Sequence, residues 1–262
     1  MCRLLGYIGE TIVLDYILTK PEHSLIEQSY QPREMTAGLL NADGFGIGWY
    51  HPEKDIEPFT YKNILPIWSD ANLPHLCRYI ESNCLVATVR SATTGQAVDL
   101  SNSQPFTHQN LLFSHNGFIE KFRKSLYRPI RNQLNDEVYQ AINGTTDSEH
   151  IFALIINELQ AKIDITLENA LYKTLINLKK LAQKYQVDFA ANLLLSDGKR
   201  LVACRSASRS PVPSLYWLRD DPNFPNAVII ASEPLFEGNW NSLAENSIII
   251  VGEDLDIQID RI

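Results

Sequence analysis

Between residues 145 and 185 the apolar side chains recur at helical spacing, and on both sides of that block they recur as strands. Ile151, Leu154, Ile155 and Leu159 mark one amphipathic helix, opened by Thr146 or Asp147 as a cap with an acidic first turn. Leu167, Leu171, Leu175, Leu178 and Leu181 mark a second, over 166–185. Each stripe must be buried against another layer. Upstream, 3–9 reads as a short strand ended by Gly9, and 84–90 as a strand ending on Arg90. Phe45, Ile47 and Trp49 alternate with Gly46 and Gly48, a strand with one face flat enough for another backbone or a ligand to approach. Residues 111–117 form a further strand that runs into Asn116-Gly117, the strongest two-residue turn signal. Downstream, 189–196 and 200–205 flank a turn at Asp197-Gly198. Residues 213–218, 228–232 and 247–252 follow as strands, and Leu255, Ile257 and Ile259 alternate as an edge strand would. Residues 12–18 read as a helical turn or a second extended piece, 21–33 as loop, 52–66 as a surface hairpin or loop, and 72–82 as a short helix. Residues 118–142 read as helical in parts. This order predicts one α+β domain over 1–262: two stacked, mostly antiparallel sheets with helices outside them, a four-layer αββα sandwich.

Composition narrows the partners. A chain of 262 residues, 45% hydrophobic and 21% charged, has the profile of a soluble protein with a sizeable core. The formal charge of −8 argues against nucleic acid or an anionic membrane as the main partner. Cys2, Cys77, Cys84 and Cys204 show no metal-ligand spacing, and a disulfide framework is not expected in a chain this long. No signal peptide and no bilayer-spanning run is apparent, so the expected compartment is the cytoplasm.

Cys2 directly follows the initiator methionine. Methionine aminopeptidases remove Met1 when the next side chain is small. Cys2 would then carry a thiol and a free α-amine, whose ordinary pKa of about 7.7–8.0 leaves it partly neutral at cellular pH. Such an amine can serve as base for the thiol beside it, directly or through one water. On its own, Cys2 reads rather as a small apolar residue at the start of a buried strand, because penultimate cysteines occur by chance.

Four further residues give it a context. Arg90, at a strand end, offers a bidentate guanidinium for an α-carboxylate. Asp147, at a helix start, offers a carboxylate for an α-ammonium. The Asn116 side-chain amide and the Gly117 backbone N–H can donate to an oxyanion. Together they make chemical sense as a site for a γ-glutamyl amide, a small-molecule substrate.

The chain resembles the class II glutamine amidotransferases of the N-terminal nucleophile hydrolase superfamily, and within them the ergothioneine-pathway γ-glutamyl hydrolases. The pieces that carry the resemblance run from Met1-Cys2-Arg3 with Leu5-Gly6, through Gln28-Ser29-Tyr30, Asn41-Ala42-Asp43-Gly44 and Val89-Arg90-Ser91-Ala92-Thr93, to Ser114-His115-Asn116-Gly117 and Ala231-Ser232-Glu233-Pro234. The resemblance implies Cys2 as nucleophile with its amine as base, Asn116 and Gly117 as the oxyanion hole, Arg90 and Asp147 as glutamyl ligands, and Thr93 as an added substrate contact. It implies no metal or organic cofactor. Ser91 and Thr94 stand where synthase-coupled members carry Trp and His. This leaves room for a leaving group larger than ammonia, such as a γ-glutamyl-cysteinyl sulfoxide conjugate of trimethylhistidine. A glutaminase subunit feeding a separate synthase and a catalytically silent binding module are the alternatives.

Overall fold

The computed structural model describes residues 1–262 except Thr36, Ala37, Leu39, 52–54, Thr94 and Ile163. The first half contains β1 (Arg3–Val13), α1 (Asp15–Leu18), α2 (Leu25–Tyr30), β2 (Phe45–His51), β3 (Asp55–Asn63), α3 (Leu73–Tyr79), β4 (Glu81–Val89), β5 (Phe106–His108) and β6 (Leu111–Ile119). Four helices follow: α4 (Tyr127–Arg131), α5 (Asp136–Ala141), α6 (Asp147–Ala161) and α7 (Leu167–Tyr185). The last third contains β7 (Phe189–Ser196), β8 (Leu201–Ala207), β9 (Tyr216–Asp221), β10 (Phe224–Ala231), β11 (Asn241–Ser242), β12 (Ser247–Val251) and β13 (Ile257–Arg261). Among the described residues, one antiparallel sheet has the order β11-β9-β10-β1-β4-β2-β3 and the other β13-β12-β8-β7-β6-β5.

Strand alternation sorts the side chains into layers. Leu4 and Ile8 of β1 and Val86 of β4 meet Leu112, Leu194 and Ile249 between the sheets. Their neighbours Leu5, Tyr7, Leu85 and Ala87 point the other way, against Leu18, Leu25 and Cys77 of the short helices α1–α3. On the far side, Phe113, Leu193 and Leu195 pack under Ile151 and Ile155 of α6 and Leu171 and Leu175 of α7. Each fully buried leucine of the α7 stripe contributes about 1.5–3 kcal/mol. The Thr146 hydroxyl caps α6 by accepting from Glu149 N at 3.2 Å. The architecture is therefore the expected four-layer αββα sandwich.

Three local expectations are corrected. Gly9 does not end β1. A Cβ there would lie 2.5 Å from the Cβ of Ala227, so the glycine permits close approach of β10 while the strand continues past a register shift. Residues 25–30 are helical rather than loop: Ser24 Oγ accepts from Glu27 N at 3.3 Å, the Ser-x-x-Glu capping pattern. Asn116-Gly117 is not a turn. β6 runs through it, paired with β7 from Leu112↔Ser196 to Ile119↔Phe189. Neither residue adopts the positive φ of a type I′ turn.

The flat glycine face of β2 has the anticipated use. A Cβ on Gly46 would lie 2.0 Å from the carbonyl oxygen of Gln104, so the backbone of the 104–105 segment rests directly on the strand.

Candidate active site

The site lies at one end of the sandwich, where β1 begins and β4 ends. Alternation puts Cys2 on the inter-sheet side with Leu4, and Arg90 on that side with Val86 and Thr88. The last register pair of the two strands is Arg3↔Val89, so Cys2 and Arg90 occupy the adjoining positions. Thr88 Oγ1 donates to Ser114 Oγ of β6 at 2.7 Å, which joins the sheets just inside the site.

Cys2 is buried, with its Sγ 3.9 Å from the carbonyl oxygen of Ser91. The α-amine here belongs to Met1. Burial lowers its pKa below the ordinary 8.0, the Arg3 charge adds to the lowering, and Cys2 and Asp43 oppose it. Gly38, at φ +88°, closes over this end: a Cβ on it would sit 3.5 Å from both Met1 N and Ser91 Oγ.

Arg90 is 3% exposed. Its Nη2 donates to the Ala97 carbonyl at 3.2 Å and is 3.5 Å from Gln96 Oε1, while Nη1 is buried with no partner among the described residues. A buried guanidinium nitrogen left open is costly, and a ligand oxygen is the natural way to satisfy it. Ala97 O also accepts from Asn102 Nδ2 at 3.1 Å, and Asn102 Oδ1 accepts from Thr145 N at 2.8 Å. Arg90 is thereby tied to the segment that opens α6. There Asp147, 5% exposed, accepts from Ile119 N at 2.7 Å and from Ser148 N at 3.0 Å. Each carboxylate oxygen keeps a further acceptor position.

Asn116 is fully buried. Its Nδ2 donates to Ser232 Oγ at 3.3 Å, and its Oδ1 has no partner among the described residues. The same Ser232 hydroxyl accepts from Leu4 N at 3.0 Å. This one oxygen links the candidate oxyanion donor to the strand that carries Cys2. At Gly117 a Cβ would fall 1.9 Å from the carbonyl oxygen of Ala190. The Gly117→Ala variant is therefore expected to lose about 1–3 kcal/mol, read as a lowered urea midpoint. A wild-type midpoint would mean that β6 and β7 can spread there without cost.

Thr93 is exposed, and its carbonyl accepts from Gln96 N at 2.9 Å. Thr94 lies outside the described residues. Sequence reasoning gave no role to Ser232, nor to the buried cluster of Arg3, His23 and Glu233. Glu233 Oε1 contacts Arg3 Nε at 2.7 Å, and its Oε2 lies 2.8 Å from His23 Nε2. Burial pushes the Glu233 carboxyl upward, but the hydrogen bonds of His23 and of the Arg33 and Glu34 amides, with the Arg3 charge, bring it down to about 2. An acidic residue directly after the β-run 228–232 was the available signal.

A family model described as glutamine amidotransferases class-II matches residues 1–235. The chain is 30% identical to the probable glutamine amidotransferase DUG3 of Saccharomyces cerevisiae, an alignment covering 96% of this chain and 82% of that protein. It is 28% identical to the gamma-glutamyl-hercynylcysteine sulfoxide hydrolase of Mycolicibacterium smegmatis, covering 96% of each. Among solved structures, a glutamine aminotransferase class-II domain protein from Silicibacter pomeroyi matches with a TM-score of 0.72 at 23% identity over 99% of both chains. The glutamine phosphoribosylpyrophosphate amidotransferase of Bacillus subtilis matches with a TM-score of 0.66 at 18% identity, over 99% of this chain and 49% of that one. At such identities the two structural matches speak to the fold alone.

Proposed function

We propose a reaction for this chain from the premise that it belongs to the class II glutamine amidotransferase family: it hydrolyses γ-glutamyl amides, with Cys2 as the nucleophile. The observation that carries this reading is the unfilled, buried Nη1 of Arg90 at the position beside Cys2. Removal of Met1 would free the Cys2 amine. The amine takes the thiol proton as sulfur attacks the amide carbon, and Asn116 and Gly117 donate to the developing oxyanion. Collapse breaks the C–N bond, and the departing nitrogen receives the proton from the ammonium. Water, deprotonated by the same amine, then attacks the thioester; glutamate leaves and the thiol is regenerated. Arg90 and Asp147 hold the glutamyl α-carboxylate and α-ammonium throughout.

For the leaving group we favour an amine larger than ammonia. The similarity to hydrolases named for γ-glutamyl-hercynylcysteine sulfoxide supports a cysteinyl sulfoxide conjugate of trimethylhistidine, which would place the reaction in ergothioneine biosynthesis. The test is glutamate release from that compound and from other γ-glutamyl amides, by protein whose intact mass shows loss of one methionine. Processed protein that releases no glutamate from any of them would overturn the assignment. The Arg90→Lys variant is expected to raise KM about tenfold or more, because one ammonium cannot reproduce a two-pronged contact. An unchanged KM would move the carboxylate site elsewhere.

A further inference from the structure

A cavity of about 270 Å³ opens next to the first residue, lined by Met1, Phe118, Phe189, Pro211, Pro213 and Arg209. The fold places it with respect to the chemistry. Phe118 and Ala190, which both line it, are a register pair of β6 and β7. Two residues back along β6, on the same inter-sheet face, stands the pair Asn116↔Asn192. Asn192 is fully buried, and its Nδ2 donates to the carbonyls of Pro213 at 3.0 Å and Ser214 at 2.9 Å. This anchors the proline wall of the cavity to β7. The Oδ1 atoms of Asn116 and Asn192 are both buried without a partner among the described residues, two acceptors open to N–H donors. The proposed glutamyl ligands, Arg90 at the end of β4 and Asp147 at the start of α6, are not among the residues that line it.

The geometry points to this cavity as the leaving-group subsite, built for an α-amino acid or short peptide whose side chain presents an apolar or aromatic surface and which keeps a free carboxylate; the inference rests on the hydrolase reading above. Loss of Met1 takes away one wall and joins the cavity to the Cys2 thiol. The departing amine then passes the open amide oxygens, its side chain meets Phe118, Phe189 and the prolines, and its carboxylate meets Arg209, the one charged side chain of the lining among the described residues. Arg209 spends one nitrogen on Asp188, Nη1 to Oδ2 at 2.9 Å, and is 64% exposed, so its other nitrogens remain within reach of an anion. The cavity with the Met1 volume added falls in the size range of small-molecule sites, about 300–1,000 Å³, which an ammonia leaving group would not need.

The test compares γ-glutamyl-phenylalanine with γ-glutamyl-phenylalaninamide, which differ in the carboxylate alone. Processed wild-type protein is expected to prefer the acid by about tenfold in kcat/KM. Arg209→Gln should reduce that ratio to about twofold or less, while Asp188→Asn, which frees Arg209 without removing it, should keep or raise the ratio. A wild-type ratio near one, a ratio unchanged in Arg209→Gln, or an equal fall in Asp188→Asn would each overturn the subsite while leaving the hydrolase standing. Release of glutamate from neither compound, nor from any other γ-glutamyl amide, would instead sink the hydrolase reading and this subsite with it.

Discussion

The Cys2→Ala variant is expected to lose γ-glutamyl turnover on the order of 10⁴-fold or more while melting within a few degrees of wild type. Alanine is as small as the aminopeptidase requires, so Met1 processing and the freed amine are kept and the thiol alone is removed. The structural cost is small. The Sγ makes one long contact, 3.9 Å to Ser91 O, and its truncation leaves at most a modest void. The other cysteines cannot stand in. Burial pushes the thiols of Cys77, Cys84 and Cys204 up to about 12, which keeps them protonated at neutral pH. Alkylation of processed wild-type protein at pH 7.5 should therefore modify Cys2 and abolish activity together. Persistent hydrolysis in Cys2→Ala, or inactivation that tracks another cysteine, would remove the nucleophile assignment.

Periodicity and local chemistry explain what could be read from the chain. The α6 and α7 stripes, the hairpin at Asp197-Gly198 and the edge strand over 257–261 declare themselves, because each depends on residues close in sequence. Asn116-Gly117 misleads for the converse reason. Its turn propensity is local, whereas its place in β6 is fixed by pairing with β7, more than seventy residues away, and by the crowding of Gly117 against Ala190. The site residues divide in the same way. Cys2 stood out as a candidate because its chemistry would follow from its position in the chain. The closeness of Arg90 to Cys2 is a matter of β1–β4 register, and the tether from Asn116 to Leu4 runs through Ser232, more than a hundred residues from either. Such contacts have no local signature. Thr93, given a substrate contact by the resemblance alone, has its side chain exposed in the loop after Arg90.

The buried ion cluster behind Cys2, the proposed nucleophile, carries the second large effect. Glu233→Gln is expected to destabilise the protein by about 3–5 kcal/mol, a sizeable share of the roughly 5–15 kcal/mol typical of a native fold. Arg3 and Glu233 are each about 1% exposed, so the substitution leaves a guanidinium in the interior without its counter-charge. Glutamine also offers one oxygen where the carboxylate used two. Oε2 now accepts from Arg33 N at 2.8 Å and faces His23, while Oε1 accepts from Glu34 N at 3.1 Å, so one backbone donor must confront an amide NH₂. The effect should depend on pH in a defined direction. The folded-state carboxyl is depressed to about 2, so its stabilisation is complete above the unfolded value near 4.3 and is lost as pH falls through about 2. The urea midpoint of wild type should lie above that of the variant at pH 5 and higher, and the two should converge toward pH 2. Activity should suffer as well, because Arg3 Nη1 donates to the Cys2 carbonyl at 2.9 Å and fixes the backbone that carries the thiol. A gap between the midpoints that stays the same down to pH 2 would mean that Glu233 acts through packing rather than charge. No gap at any pH would mean that Arg3 finds solvent or another acceptor, and the cluster would then have no claim to hold the nucleophile strand.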